Sequence, residues 1–164
     1  MPILDPNSLE FFSRSPEQTR RLGARMGALL KPGDTLCLQG DLGSGKTTLV
    51  QGLAQGWGSL DAVTSPTFVL VNVYRRVSGE SLFHLDAYRL EDAREAEDLD
   101  IDWMLAEGAL VVEWAGRIQA ALPDDGLWVT LRWMADEQRG MVFTPRGKRY
   151  EKMLADFRKT SFGG

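Results

Sequence analysis

Cysteine and histidine are nearly absent from this chain of 164 residues, which has one of each, Cys37 and His84. A single cysteine excludes an internal disulfide, and because Cys37 falls in an apolar, strand-like run, we expect its thiol to pack as a small apolar group. We expect His84 to be a neutral core histidine with a local hydrogen bond. Neither side chain is predicted to carry chemistry.

Long hydrophobic runs are also missing. The longest ones, such as residues 68–71, have the length of a strand and fall far short of a membrane span. The segment from Met1 to Ser15 lacks the positive start and the long apolar centre of a secretory signal. We therefore expect a cytoplasmic protein, and the length suits a single domain over residues 1–164 with a full core.

Charge is modest and unevenly distributed. The net charge of −4 argues against a surface coated with phosphate-binding lysines. Residues 91–102 contain seven acidic side chains and one basic one, whereas residues 137–164 contain seven basic and three acidic ones. The acidic run is either a solvated face or a contact for a partner.

One glycine-rich stretch stands out, because residues 40–47 are Gly-Asp-Leu-Gly-Ser-Gly-Lys-Thr. An apolar, strand-like run precedes it, and Leu49, Val50 and Leu53 follow it at helical spacing. A phosphate-binding P-loop requires this context, which a glycine-rich turn that matches by accident would rarely have. Glycines allow backbone angles at which successive N–H groups point at a phosphate chain.

The last two residues of this stretch complete the prediction. We expect Lys46 to contact the β- and γ-phosphates of a nucleoside triphosphate, and Thr47 to place a hydroxyl at a bridging magnesium ion. The N-terminus of the following helix adds partial positive charge. A guanine-specific site is not expected, because its Asn-Lys-x-Asp segment needs a lysine and none lies between Lys46 and Lys148.

The rest of the pattern alternates strands and helices, which indicates an α/β fold. Helices are predicted from Ser15 to near Pro32, from the glycine-rich stretch to near Gly56, over 91–107, over 115–122 and around 150–157. Strands are predicted over 35–38, 68–74, 82–85, 109–112, 127–133 and 140–143. The second and third strands are expected to form an antiparallel hairpin, and the last two strands are expected to pair with each other.

Two acidic residues stand directly after predicted strands, Asp86 after 82–85 and Glu113 after 109–112. Ligands of open parallel sheets bind beyond the carboxyl ends of the strands, where both side chains would emerge. Nucleotide hydrolysis needs such carboxylates to hold magnesium and to position water, although acids at strand ends are also common caps. Either acid could orient the water.

A small polar loop at 59–67 follows the helix of the glycine-rich stretch. Its residues Ser65 and Thr67 occupy the position of a loop that senses the γ-phosphate in many nucleotide switches. A polar turn leading into the next strand is the alternative interpretation.

Four segments together resemble the bacterial TsaE family, the ATPase component of the system that makes threonylcarbamoyladenosine in tRNA. They are GDLGSGKTTL at 40–49, SPTF at 65–68, HLDAYRL at 84–90 and EW at 113–114. The resemblance implies a P-loop NTPase fold, with a parallel core sheet flanked by antiparallel strands and helices. It also implies ATP and Mg²⁺ as cofactors, weak hydrolysis by the chain alone, and activity with the partners TsaB and TsaD.

The resemblance also implies roles for individual residues. Lys46, Asp86 and Glu113 would be catalytic, Thr47, Asp86 and Glu113 would hold the metal, and Ser65 and Thr67 would form the switch. ATP would contact Asp41, Leu42, Gly43, Ser44, Gly45, Lys46, Thr47 and Thr48, and also Thr19 and Arg139. The basic end at about 146–159 lies beyond the matching segments, and a packed helix, a tRNA contact or an acidic partner surface would each explain it.

Two other functions remain open. A small-molecule kinase would share the loop and enclose its acceptor under an arginine-rich lid, although the arginines here are scattered over several elements. A nucleotide-gated binding module would use ATP only to order the 59–67 loop. Single-turnover assays with and without partners distinguish these functions.

Overall fold

A computed structural model describes residues 7–41, 43–61 and 71–162 of the chain. Its strands are β1 (Leu9–Ser13), β2 (Thr35–Gln39), β3 (Val71–Arg75), β4 (Ser81–Asp86), β5 (Gly108–Glu113), β6 (Gly126–Ala135) and β7 (Gln138–Arg146). Its helices are α1 (Pro16–Gly27), α2 (Lys46–Trp57), α3 (Ala93–Glu97), α4 (Ile101–Glu107) and α5 (Lys148–Phe162), with a 3-10 helix over Ala115–Ala121.

The strands form one seven-stranded sheet in the order β1-β7-β6-β2-β5-β4-β3. The four strands β6, β2, β5 and β4 run parallel to one another. At one edge β7 is antiparallel to β6 and β1 is antiparallel to β7, and at the other edge β3 is antiparallel to β4. This mixed architecture confirms the predicted α/β class. Because β2 is the middle strand, the loop that follows it lies at the centre of the sheet's carboxyl edge.

Apolar clusters cover both faces of the sheet. One cluster joins α1, α2 and α5 to the sheet and includes Leu53, Val111 and Phe157. The other contains residues of α3, α4 and the 3-10 helix, together with Cys37 of β2. Burial raises the pKa of the Cys37 thiol to about 12. The prediction that this thiol packs as an apolar group is confirmed.

Helices α1 and α2 pack backbone against backbone at glycines. A β-carbon at Gly52 would lie 2.2 Å from the carbonyl oxygen of Arg20, and one at Gly56 would lie 1.9 Å from that of Ala24. A glycine inside a helix costs about 1 kcal/mol relative to alanine, and here it allows this close approach. The contact fixes the position of α2, whose first turn carries Lys46 and Thr47.

Three parts of the chain differ from the sequence-based prediction. Strand β1 was not predicted, and it pairs with β7 from the far end of the sequence. The segment 91–107 is helical as predicted but divides into α3 and α4, because Asp100 adopts a left-handed conformation with φ of 54° and its carboxylate caps α4. The helix predicted over 115–122 is present over Ala115–Ala121, but it is a 3-10 helix that is interrupted at Ile118.

The other predicted elements are present, and β6 and β7 are longer than expected. The predicted antiparallel hairpin of β3 and β4 is confirmed, and so is the predicted pairing of β6 with β7, which is also antiparallel. The first three residues of the strand predicted over 68–74 lie outside the described residues.

The basic end of the chain is largely occupied by contacts within the fold. The Arg149 guanidinium pairs with Asp34, Lys152 pairs with Asp156, and the Arg146 guanidinium lies over the Trp128 ring. These contacts favour the interpretation of this segment as a packed helix. In the part of the chain that the structure describes, no helix is both long and apolar enough to cross a membrane.

Candidate functional site

The loop between β2 and α2 contains three glycines whose backbone angles other residues rarely adopt. Gly40, Gly43 and Gly45 have positive φ angles of 148°, 79° and 102°. A β-carbon at Gly40 would lie 2.3 Å from the carbonyl oxygen of Leu131, so no larger residue fits there. No side chain caps the N-terminus of α2 at Gly45. The first N–H groups of α2 can therefore serve an anionic ligand.

A cavity of about 410 Å³ opens beside this loop. It is lined by Gly43, Ser44, Gly45, Lys46, Thr47 and Thr48, by Asp86, Tyr88, Glu113 and Trp114 at the ends of β4 and β5, and by Arg139 of β7. The structure thus brings most of the sequence-predicted site residues to one place. Two predicted residues, Asp41 and Thr19, do not line this cavity. Three others, Leu42, Ser65 and Thr67, lie outside the described residues.

Lys46 is turned back onto its own loop. Its ammonium donates to the carbonyl oxygens of Gly40 and Asp41, the latter at 2.8 Å, and lies 4.3 Å from the centre of the Trp114 ring. Burial lowers the pKa of Lys46, and the negative charges of Glu113 and Asp41 oppose that shift. The cation therefore sits partly desolvated among groups that an anionic ligand could replace as partners.

Two carboxylates end adjacent parallel strands, because Asp86 of β4 stands directly opposite Glu113 of β5 in the register. Burial raises the pKa of Asp86, and the negative charge of Glu113 raises it further, while a hydrogen bond from the Tyr88 N–H opposes the shift. Glu113 is only 4% exposed. Two like charges at one edge of a cavity favour a cationic ligand between or beside them.

His84 is fully buried, as the sequence predicted, but its partners are not its sequence neighbours. Its Nε2 lies 2.6 Å from Oε2 of Glu113, and its Nδ1 lies 3.2 Å from the Tyr74 hydroxyl. Sequence reasoning gave this residue no part in the site. The available signal was its position two residues before Asp86, which places both side chains on one face of β4.

An aromatic wall closes one side of the cavity. The rings of Tyr88 and Trp114 lie 5.0 Å apart, and the Arg117 guanidinium lies over both of them. Trp114 is therefore a wall of the candidate site. Tyr88 was missed, although the Asx-type turn that it forms with Asp86 is a recognisable local signal.

Arg139 reaches the glycine-rich loop from the opposite side. Its Nε donates to the carbonyl oxygen of Gly43 at 3.1 Å, and its Nη1 donates to the carbonyl oxygens of Asp136 and Gln138. Thr19 is buried, shares a 2.6 Å hydrogen bond with Ser13, and lines a separate, narrow cavity of about 30 Å³ beside Gly45 and Thr48. Thr19 thus lies behind the loop, whereas Arg139 borders both cavities.

The described residues contain no group of three or more His, Cys, Asp or Glu side chains that could hold a metal ion. A divalent cation would depend on oxygen donors of Thr47, Asp86 and Glu113 together with oxygens of a bound phosphate. Oxygen ligands of this kind suit Mg²⁺, which is commonly held by one or two carboxylates and substrate phosphates. The donor set therefore fits the predicted metal.

Fold and site together define a class: an α/β protein whose glycine-rich loop joins the middle strand of a sheet to a helix, beside two strand-end carboxylates. The family model described as "Threonylcarbamoyl adenosine biosynthesis protein TsaE" matches residues 13–141. The chain belongs to the TsaE family, which confirms the resemblance found in its sequence.

Individual relatives agree with this assignment. A protein of Bacillus subtilis (strain 168) is 39% identical over 149 residues, which cover 90% of this chain and 92% of the relative. One of Streptomyces coelicolor is 43% identical over 137 residues, which cover 80% of this chain and 93% of the relative. Both are named tRNA threonylcarbamoyladenosine biosynthesis protein TsaE. A crystal structure of Bacillus subtilis YdiB superposes with a TM-score of 0.77 at 33% identity, covering 93% of this chain and 95% of that one.

Proposed function

We propose that this protein is a cytoplasmic P-loop ATPase of tRNA N6-threonylcarbamoyladenosine biosynthesis, which binds and hydrolyses Mg-ATP to drive or reset a complex with TsaB and TsaD. One observation carries the ATPase part: Lys46, the uncapped start of α2 and two strand-end carboxylates converge on one cavity. The names of the relatives support the pathway.

The proposed binding step uses the loop and Lys46. Backbone N–H groups of the loop and of the first turn of α2 hold the phosphates, and the Lys46 ammonium exchanges its carbonyl partners for phosphate oxygens. That exchange is favourable because a phosphate carries full negative charge, whereas the carbonyl oxygens of Gly40 and Asp41 carry only partial charge.

The proposed hydrolysis step divides the work between the two acids. Bound Mg²⁺ would neutralise charge on the phosphates, and the Thr47 hydroxyl and Asp86 would hold it. Glu113 orients the attacking water, because it is the more buried acid and a hydrogen bond from His84 fixes one of its oxygens. Trp114 and Tyr88 limit the access of other water to the cavity.

Removal of the Lys46 ammonium tests nucleotide binding. We expect Lys46→Ala to weaken Mg-ATP binding by about 100-fold in calorimetry, because charge-assisted contacts to two phosphates are lost. Lys152→Ala is the matched control, since Lys152 is an exposed lysine paired with Asp156 on α5. Unchanged affinity in Lys46→Ala would contradict the assignment.

Neutralisation of Glu113 tests hydrolysis separately. We expect Glu113→Gln to bind Mg-ATP but to lose about 100-fold or more in phosphate release when TsaB and TsaD are present. Normal turnover by this variant would indicate that Asp86, and not Glu113, orients the water. The same assay separates the alternatives, because a kinase would transfer phosphate to an acceptor and a binding module would release almost none.

A further inference from the structure

Three buried side chains form a continuous hydrogen-bonded chain behind the cavity. Glu113 lines the cavity, His84 contacts its Oε2 at 2.6 Å, and the Tyr74 hydroxyl contacts the far side of the imidazole at 3.2 Å. Of these, His84 has no exposed surface and Tyr74 is 3% exposed. These hydrogen bonds thus connect the cavity to the core.

Sheet topology makes this alignment possible. Glu113, His84 and Tyr74 belong to β5, β4 and β3, which are neighbours in the sheet. In the register, His84 stands opposite Val111, two residues before Glu113, and Tyr74 stands opposite Leu82, two residues before His84. All three side chains therefore project from the same face, the one covered by α2.

The chemistry of the three groups sets the direction of the hydrogen bonds. An ionised carboxylate can only accept, so Nε2 of His84 carries the hydrogen in the contact with Glu113. Nδ1 of a neutral imidazole then accepts, and the Tyr74 hydroxyl donates to it. Burial raises the pKa of Tyr74, which keeps this hydroxyl protonated.

We propose that His84 is a positioning residue for Glu113: its Nε2–H fixes Oε2, so that Oε1 is the oxygen available to the cavity, and Tyr74 selects the imidazole nitrogen that carries the hydrogen. The role in hydrolysis rests on the function proposed above, whereas the hydrogen-bonded arrangement does not. A carboxylate held by one oxygen has a single orientation towards a ligand. Partners of this kind behind a reactive group commonly affect activity by 10- to 100-fold.

The single histidine makes the arrangement directly observable. In the full-length protein with ¹⁵N-labelled histidine, every imidazole signal belongs to His84. We expect the ¹⁵N spectrum to show a protonated Nε2 and a hydrogen-bonded, unprotonated Nδ1. Glu113→Gln should shift the signal of the Nε2 proton, and Tyr74→Phe should shift Nδ1 towards the value of a free imidazole nitrogen.

Tyr150→Phe is the matched control for Tyr74→Phe. Tyr150 is also buried, and its hydroxyl accepts a 2.8 Å hydrogen bond from the Thr35 N–H at the end of β2 remote from the glycine-rich loop. Both variants lose one buried hydroxyl contact, but only Tyr74→Phe should change the spectrum of His84. Equal spectral changes in the two variants would indicate general loosening of the core and would overturn the proposal.

Kinetics test the consequence for the site. In single-turnover hydrolysis, we expect His84→Phe, which has no N–H donor, to slow ATP cleavage about tenfold or more while its Kd for Mg-ATP stays within about twofold of the parent. Tyr74→Phe should slow cleavage by a smaller factor, and Tyr150→Phe should leave it unchanged. Normal cleavage by His84→Phe would overturn the positioning role.

The two proposals fail in different ways. A parent protein that neither binds nor cleaves ATP would refute the proposed function, while the spectrum would still show whether His84 holds Glu113. A protonated Nδ1 with an unprotonated Nε2, or a spectrum that Glu113→Gln leaves unchanged, would refute the positioning role even in an active ATPase.

Discussion

The two ends of β2 both carry buried polar groups, but they are built in opposite ways. At the amino end, Asp34 is 4% exposed, and the Arg149 guanidinium donates to both of its carboxylate oxygens, at 3.0 and 2.7 Å. The backbone N–H of Lys31 donates to the same carboxylate, and Arg149 also donates to the carbonyl oxygen of Leu29. The pKa of Arg149 is raised by its hydrogen bond with Asp34. This end is a paired network that ties α5 to the sheet.

The carboxyl end holds its charged groups without such mutual pairing. Lys46 is bound to carbonyl oxygens and an aromatic ring, and its pKa is lowered by burial. Asp86 stands beside a second acid, and its pKa is raised by burial. Groups held in this manner destabilise the free protein slightly and gain partners when a ligand arrives. Perturbed pKa values of this kind therefore identify the carboxyl end of β2 as the candidate site.

Of the changes that test this comparison, removal of the carboxylate from the paired network should have the largest effect on stability. We expect Asp34→Ala to lower the free energy of unfolding by about 2–4 kcal/mol, because the half-buried Arg149 loses its anionic partner. Nucleotide affinity should not change. Chemical denaturation and calorimetry measure the two quantities.

Asp156→Ala is the matched control on the surface. Its carboxylate pairs with the exposed Lys152 on the same helix that carries Arg149. An exposed pair of this type contributes less than about 1 kcal/mol. A loss of stability in Asp156→Ala as large as that in Asp34→Ala would show that the amino-end network has no special role.

Neutralisation of an acid at the carboxyl end of β2 should have a smaller effect on stability, and of opposite sign. Because the pKa of Asp86 is raised on folding, the folded protein binds more protons than the unfolded chain between the two pKa values, and stability falls as the pH rises through that interval. Asp86→Asn removes this cost, so its Tm should exceed that of the parent by about 1–3 °C, as for active-site residues in general.

The pH dependence provides the control for Asp86→Asn. The advantage of the variant in thermal denaturation should be greater at neutral pH than in acid, where the parent carboxyl is protonated in both states. Turnover should fall in the same variant. A lower Tm of Asp86→Asn at neutral pH would mean that the Asp86 carboxylate stabilises the fold and is not held at an energetic cost in the free protein.

The smallest effect is expected for chemical labelling of the middle of β2. Cys37 is buried there, and burial raises the pKa of its thiol to about 12, so almost no thiolate is present at neutral pH. The native protein should therefore resist alkylation by iodoacetamide, with or without nucleotide, and should react fully in denaturant. Mass spectrometry of the intact chain measures the modification, and rapid labelling of the native protein would show that the strand opens between its two ends.

Short-range patterns predicted much of this fold. The glycine-rich loop, the strand before it and the helix after it were found at their places because each depends on residues close in sequence. Predictions failed where a local feature competed with periodicity, as at Asp100, whose side chain caps α4 and interrupts the helix predicted over 91–107. Strand β1 was missed because a five-residue edge strand is defined by its pairing with β7, more than a hundred residues away.

The sequence by itself determined that this protein has a glycine-rich loop between a strand and a helix, that acids stand at the ends of two of its strands, and that it belongs to the TsaE family. Only the tertiary structure decided which of its polar groups meet: His84 with Glu113, Arg139 with Gly43, and Arg149 with Asp34. Backbone conformation and periodicity are encoded locally, whereas these contacts depend on the order of the strands in the sheet, which brings together residues that lie far apart along the chain.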